Sequence, residues 1–151
     1  MYKIMIIDDN HISVDGICHN INWSALNAEV IYKAYDGQQA LDFLQNNTVD
    51  LIISDIEMPQ LNGLSLAQNA LKINSSIKII LISAFDEFEY AKQAIRLGAF
   101  DYIEKPLDYS YLEKIIHNAL DMLDKEQRNL EILKKSRPIM VDNFFHKLIL
   151  S

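Results

Sequence analysis

Ile4-Met5-Ile6-Ile7-Asp8-Asp9 and its echo, Val49-Asp50-Leu51-Ile52-Ile53-Ser54-Asp55, decide how this chain is read. Both apolar runs are rich in β-branched residues and too short for helices. They therefore read as central strands of a parallel sheet covered on both faces. Each run stops at acid, and ligands of such sheets bind beyond the carboxyl ends of the strands. Packed together, Asp8, Asp9 and Asp55 would repel one another and favour protonation unless a cation held them. A hard divalent ion that takes oxygen ligands and keeps several waters, Mg²⁺ above all, suits three carboxylates.

Outward from these runs, apolar stretches recur at 2–7, 30–34, 51–54, 77–83 and 100–103, separated by segments with helical spacing. This is a β-α unit repeated five times. Ile12, Gly16 and Ile17 mark the first helix. Ala40, Leu41 and Leu44 after Asp36-Gly37 mark the second, and Leu64, Ala67 and Leu71 after Asn62-Gly63 the third. The fourth is expected over 87–97, with Ala91, Ala94, Ile95 and Leu97 inward and Gly98 as C-cap. A fifth follows Pro106, with Leu112, Ile115, Ile116, Ala119 and Leu120 at helical spacing. The link 20–27 is longer than a minimal unit needs, and Trp23 in it reads as a plug over the sheet edge.

Past about residue 120 the composition turns strongly charged, as expected of an exposed extension of the fifth helix. Leu123, Leu130 and Leu133 offer a narrow coiled-coil seam, against the alternative of a solvated helix. Pro138 ends it, and an apolar segment with Phe144, Phe145, Leu148 and Ile149 begins, which predicts a chain cut from a longer protein. The expected organisation is a domain over 1–122 and a helical extension with the start of a linker over 123–151.

Half of the 151 residues are hydrophobic, enough for one core. No run approaches the ~18 apolar residues that span a bilayer, and the N-terminus enters a strand without a signal-peptide pattern. A cytoplasmic location without membrane contact is the expectation. The one cysteine, Cys18, reads as a small packing residue. A net charge of −7 disfavours direct contact with nucleic acid, which requires clustered Lys and Arg.

Ser83 ends the fourth apolar run, Lys105 follows the fifth, and Pro106 follows the lysine. Singly, each candidate has a structural explanation: Asp8 as a helix cap, Ser83 as a strand terminus, Lys105 as a surface lysine, Tyr102 as strand packing. Together, Asp8, Asp9, Asp55, Ser83 and Lys105 stand where strand ends of one sheet converge. With the motifs Ile-Ile-Asp-Asp at 6–9, Ser-Asp-Ile-Glu-Met-Pro-Gln-Leu-Asn-Gly at 54–63, Ile-Ser-Ala at 82–84 and Asp-Tyr-Ile-Glu-Lys-Pro at 101–106, the chain over about 2–120 resembles the receiver domain of two-component response regulators.

The resemblance implies a flavodoxin-like, CheY-like (βα)5 fold, a doubly wound parallel sheet of strand order 2-1-3-4-5. It implies Asp55 as phosphoacceptor for a sensor histidine kinase. It further implies Mg²⁺ bound by Asp9 and Asp55, by Asp8 through water, and by the backbone carbonyl of Glu57. Ser83 becomes the switch hydroxyl, Tyr102 the switch aromatic, Lys105 the phosphate-pairing lysine, and Lys105-Pro106 a cis peptide bond. Ser83 stands where threonine is often found, and Glu57 adds a carboxylate beside the cleft.

The link with Trp23, the run at 83–95 and the tail resemble regulators that carry an AraC-type helix-turn-helix output domain, which this chain lacks. DNA would then be touched only by that missing domain. Homodimers are expected through the fourth helix, fifth strand and fifth helix, with Phe88, Tyr90, Arg96, Asp101 and Tyr111 on that surface. By this reading the chain is not an enzyme but a phosphoacceptor that assists its own phosphorylation and dephosphorylation. Two other readings remain open on the residues: a Mg²⁺-dependent phosphohydrolase passing through an aspartyl-phosphate, and a phosphorylation-independent binding module.

Overall fold

The computed structural model describes residues 1–84 and 88–135. The segment after Pro138, Asp86 and the expected start of the fourth helix at Glu87 lie outside the described residues.

Strands β1 (Tyr2–Ile7), β2 (Ala28–Ala34), β3 (Leu51–Asp55), β4 (Lys78–Ser83) and β5 (Asp101–Glu104) alternate with helices α1 (His11–Asn20), α2 (Gly37–Asn46), α3 (Gly63–Ile73), α4 (Phe88–Leu97) and α5 (Tyr109–Lys135). All strand pairs are parallel, in the order β2-β1-β3-β4-β5, as expected. β1 and β3 lie inside the sheet, which is why their sequences are apolar on both faces. Ile4, Met5, Ile6, Leu51, Ile52 and Ile53 are all fully buried.

Alternate residues serve opposite layers. Met5, Ile7, Ile52, Ile79 and Leu81 join Ala40 and Leu44 of α2, Leu66, Ala67 and Ala70 of α3 and Ala94 of α4 in one cluster. The buried residues of α1 and α5 (Val14, Ile17, Leu112, Ile115, Ile116, Ala119) lie outside that cluster and cover the other face. β1 and β2 shift register between Ile4 and Met5, leaving Ile31 as a bulge on the edge strand.

Side-chain caps set the helix starts. Asn10 accepts from the N–H of Ile12, Asp36 from that of Gln39 and Asn62 from that of Ser65. Gly98 ends α4 with φ +95°, and its N–H donates to the carbonyl of Ile95. Ile95, expected inward, is 76% exposed, and Ile12, an apolar marker of the first helix, is 81% exposed. Val14 and Ile17 set the inner face of α1, and Ile12 sits two positions, about 200° of helix, from Val14. Ile95 falls about 100° past Ala94, off the stripe that packs.

Trp23 opens a short 3-10 helix, Ser24–Leu26, before edge strand β2. It is half-buried, and its indole N–H donates to the carbonyl of Cys18 at 3.2 Å. Burial pushes the Cys18 thiol above its ordinary range, as suits a packing residue.

Residues Met1–Leu120 form one compact unit, and the described residues from Asp121 on belong to a second. In the second, the described helical turns carry the ion pairs Asp121–Lys125 and Asp124–Arg128; of the expected seam, Leu123 is buried, Leu133 half-buried and Leu130 exposed, and Met122 and Ile132 are exposed too. Such i,i+4 pairs add a few tenths of a kcal/mol each to a helix.

Candidate functional site

Strand register brings the polar termini level. Ile7 pairs with Ser54, Asp55 with Ile82, and Ser83 with Glu104, so the residues following β1 and β5 and the last residues of β3 and β4 emerge at one edge. There Asp8, Asp9 and Asp55 offer carboxylate oxygens that all lie within 4.8 Å of one another.

Asp8 is buried and held at both oxygens. Oδ1 accepts from the N–H of Asn10 at 2.9 Å and Oδ2 from the Lys105 ammonium at 3.2 Å. Its own N–H donates to Ala34 at 3.2 Å, tying the end of β1 to β2. Asp8 therefore caps nothing; Asn10 caps α1. Asp9 is the exposed acid of the three. Burial raises its carboxyl above the usual range, joined by the hydrogen bond and charge of Asp8.

Asp55 is buried beside Asp8. Among the described residues its buried Oδ1 has no hydrogen-bond partner, and the Lys105 ammonium stands 3.7 Å away as its ion-pair partner. Burial first, then the charge of Asp8, pushes its carboxyl up to about 7; Lys105 opposes the shift, and Asp9 and Glu57 add to it. On Lys105 burial acts downward, but Asp55 and Asp8 outweigh it and the ammonium is held above its ordinary range. Three carboxylates with one ammonium leave an excess of negative charge at a site whose donors are all oxygen. That set fits a hard divalent cation, which takes carboxylate ligands and tolerates water in its remaining positions.

The backbone around Asp55 is fixed from two sides. Beyond β3, Ile56 N–H donates to Ile82 at 2.8 Å and Gly63 N–H returns to Ile56 at 2.9 Å. Gly63 lies so close that a Cβ would stand 2.2 Å from the Asp55 carbonyl oxygen and 2.9 Å from Ile56 Cα. Only glycine permits this approach. Lys105 N–H donates to the Ser83 carbonyl at 2.7 Å, and Lys105-Pro106 is cis.

The structure thus brings Asp8, Asp9, Asp55 and Lys105 together. Ser83 is fully buried at the end of β4, joined to Lys105 through the backbone. Tyr102 on β5 is half-buried and packs against the core cluster of α2, α3 and α4. Glu57 is exposed and acts on Asp55 by charge. Asp50 accepts from the N–H of Lys3 at 2.7 Å, and Asp101 accepts from that of Tyr102 at 2.7 Å. Sequence reading missed Asn10 and the close approach of Gly63. Asn before an apolar-periodic stretch is a helix-start signal and would have found the first.

Residues 4–117 match the response regulator receiver domain family. The chain belongs to that family. This receiver domain is 34% identical over 135 residues to YesN of Bacillus subtilis (strain 168), an uncharacterized transcriptional regulatory protein, a match covering 89% of this chain and 36% of YesN. It is 37% identical to the REC domain of AraT, a response regulator from Geobacillus stearothermophilus, with TM-score 0.77, covering 83% of this chain and 98% of that one. It is 29% identical to a two component transcriptional regulator AraC from Clostridium phytofermentans ISDg, with TM-score 0.76 and coverage of 85% and 99%. The expected flavodoxin-like arrangement is the one observed. No helix among the described residues is long and apolar enough to cross a membrane.

Proposed function

We propose that this receiver domain accepts a phosphoryl group on Asp55 from a sensor histidine kinase and passes the change to a transcription-regulating output domain carried elsewhere in the full protein. The observation that carries the reading is the buried Asp55 carboxylate, its Oδ1 ion-paired to the Lys105 ammonium at 3.7 Å, grouped with Asp8 and Asp9 at one edge of the sheet. A buried carboxylate held beside an ammonium and two further acids is positioned for attack, and a bound cation would keep it ionised. Phosphoryl transfer needs little covalent chemistry from the protein beyond positioning and charge neutralisation. Asp55 attacks phosphorus in line, the bond from phosphorus to the donor breaks, and an acyl phosphate results.

Asp8, Asp9, Asp55 and the backbone carbonyl of Glu57 would hold Mg²⁺, which when bound neutralises phosphoryl oxygens and keeps Asp55 ionised. Lys105 leaves its place against Asp8 and Asp55 to pair with the added phosphate, as a flexible point charge can. The Ser83 hydroxyl donates to a phosphoryl oxygen and draws the end of β4 inward. Tyr102, half-buried on β5, follows into the space released and alters the α4-β5-α5 face. Exposed Phe88, Ile95 and Tyr111 are apolar residues on α4 and α5 suited to homodimer formation. The names of YesN and of the Clostridium regulator support transcriptional control, with an AraC-type helix-turn-helix as the DNA-binding part. In this reading the chain is not a turnover enzyme, and it acts in the cytoplasm.

The test is intact mass after incubation with acetyl phosphate and Mg²⁺, repeated with Asp55→Ala and with chelator. One phosphate on the wild type that needs both Asp55 and the metal is the expected result. An adduct that persists in Asp55→Ala would overturn the assignment.

A further inference from the structure

We propose that the stacked rings of His11 and Tyr35 form a clamp that positions Asp9 and thereby sets the affinity of the acidic site for Mg²⁺. The proposal rests on the metal-binding reading above and adds two positioning residues to it. The ring centroids lie 3.8 Å apart with an interplanar angle of 4°. His11 is the first residue of α1, two past Asp9, and Tyr35 directly follows the last residue of β2. The stack therefore ties the β1–α1 turn to the neighbouring strand beside the site.

Asp9 is the acid that most needs such a tie. Asp8 is fixed at both carboxylate oxygens and at its N–H, and Asp55 is the last residue of an interior strand. Asp9 is exposed, and the acid it hydrogen-bonds, Asp8, also carries a like charge that opposes its place beside it. From inside, the turn is held by the Asn10 N–H on Asp8 and by the Asn10 cap of α1. From outside, it is held by the stack.

The Tyr35 side of the stack is well founded. Tyr35 N–H donates to Gln39 Oε1 at 3.0 Å, while Gln39 N–H donates to Asp36 Oδ1 at 2.7 Å, so the platform is anchored on the first turn of α2. His11 is exposed, Tyr35 half-buried, and neither belongs to the core cluster. Their contact adds little to the core. Its effect falls on the population of turn conformers in which Asp9 faces Asp8 and Asp55, and apparent affinity falls in proportion to that population.

The experiment is a Mg²⁺ titration of the full 151-residue chain, ¹⁵N-labelled, followed at the amides of Asp9 and Asn10, with urea unfolding in chelator as a separate readout. In the wild type the His11 ring protons should show a ring-current displacement that Tyr35→Leu abolishes. His11→Ala and Tyr35→Leu should each weaken Mg²⁺ binding by about two- to tenfold, the range that one aromatic pair supplies. Their double variant should be no weaker than the singles. His11→Phe and Tyr35→Phe, which keep a ring in place, should restore wild-type affinity and show that the ring, not the imidazole charge, acts.

Phe43→Leu removes a comparable stack, Tyr32 on Phe43 at 4.1 Å, away from the turn, and should leave affinity unchanged. Wild-type affinity in both His11→Ala and Tyr35→Leu overturns the clamp alone. So does an equal loss in Phe43→Leu, which would mark general softening. A wild type that binds no Mg²⁺ at these amides overturns the clamp and the metal-binding reading together.

Discussion

Replacing Asp55 by asparagine should make the metal-free protein more stable at neutral and alkaline pH, although it removes the proposed reactive group. The Asp55 carboxyl lies at about 7 in the folded protein against an ordinary 3.8, because it is buried and faces Asp8. In the unfolded chain the group loses its proton near 3.8, whereas in the folded chain it keeps the proton until about 7. Between those values the folded state binds more protons, so this group's contribution to stability falls as pH rises, and above about 7 the whole penalty is present. At ~1.36 kcal/mol per pH unit of separation, the penalty is at most ~4 kcal/mol, and relaxation around a charged carboxylate reduces it to about 2–4 kcal/mol.

Asparagine keeps the shape and lacks the charge, while Lys105 retains Asp8 at 3.2 Å. The assay is urea unfolding of both proteins from pH 4 to 8.5 in chelator. With a slope of about 1–3 kcal/mol/M, the Asp55→Asn midpoint should exceed that of wild type by roughly 1–2 M at pH 8, and the gap should close toward pH 4. Saturating Mg²⁺ should narrow the gap at pH 8, because the cation binds only the folded wild-type carboxylates with full strength. A variant no more stable than wild type at pH 8 in chelator would refute the reasoning, as would a gap that ignores pH.

Three further outcomes are expected. Gly63→Ala should destabilise the fold by about 1–3 kcal/mol, because its Cβ would stand 2.2 Å from the Asp55 carbonyl oxygen and neither backbone can yield; thermal unfolding reads this directly. Lys105→Ala should leave Asp55 more readily protonated and slow adduct formation from acetyl phosphate by roughly tenfold to hundredfold, measured by intact mass against time. Mg²⁺ affinity should fall as pH drops through about 7, since protonated Asp55 gives up ligand charge; a calorimetric titration at pH 6 and pH 8 that returned equal affinities would contradict this.

The order of elements was legible because period and composition report burial directly. The interior strands β1 and β3 carry unbroken apolar runs ending in acid, and no other element type of that length shows the pattern. Boundaries were less legible. β2 begins at Ala28 because that residue pairs with Tyr2, and β5 ends at Glu104 because that residue pairs with Ser83. Neither pairing leaves a mark on the local sequence. Ile95 read as an inward residue and Ile12 as a helix marker because hydrophobicity was the only available guide, whereas packing geometry selected Val14, Ile17 and Ala94.

For the site, the sequence by itself determined the chemical inventory: three acids and a lysine at strand ends, with a glycine after the third. These are choices of residue type, and a residue type is visible without coordinates. Only the tertiary structure decided how the acids differ. Asp8 is satisfied at both oxygens, Asp9 reaches solvent, and Asp55 keeps one buried oxygen that no group among the described residues hydrogen-bonds. Those differences arise from desolvation and from a partner distant in sequence, Lys105 against Asp8 and Asp55, which chain proximity does not encode.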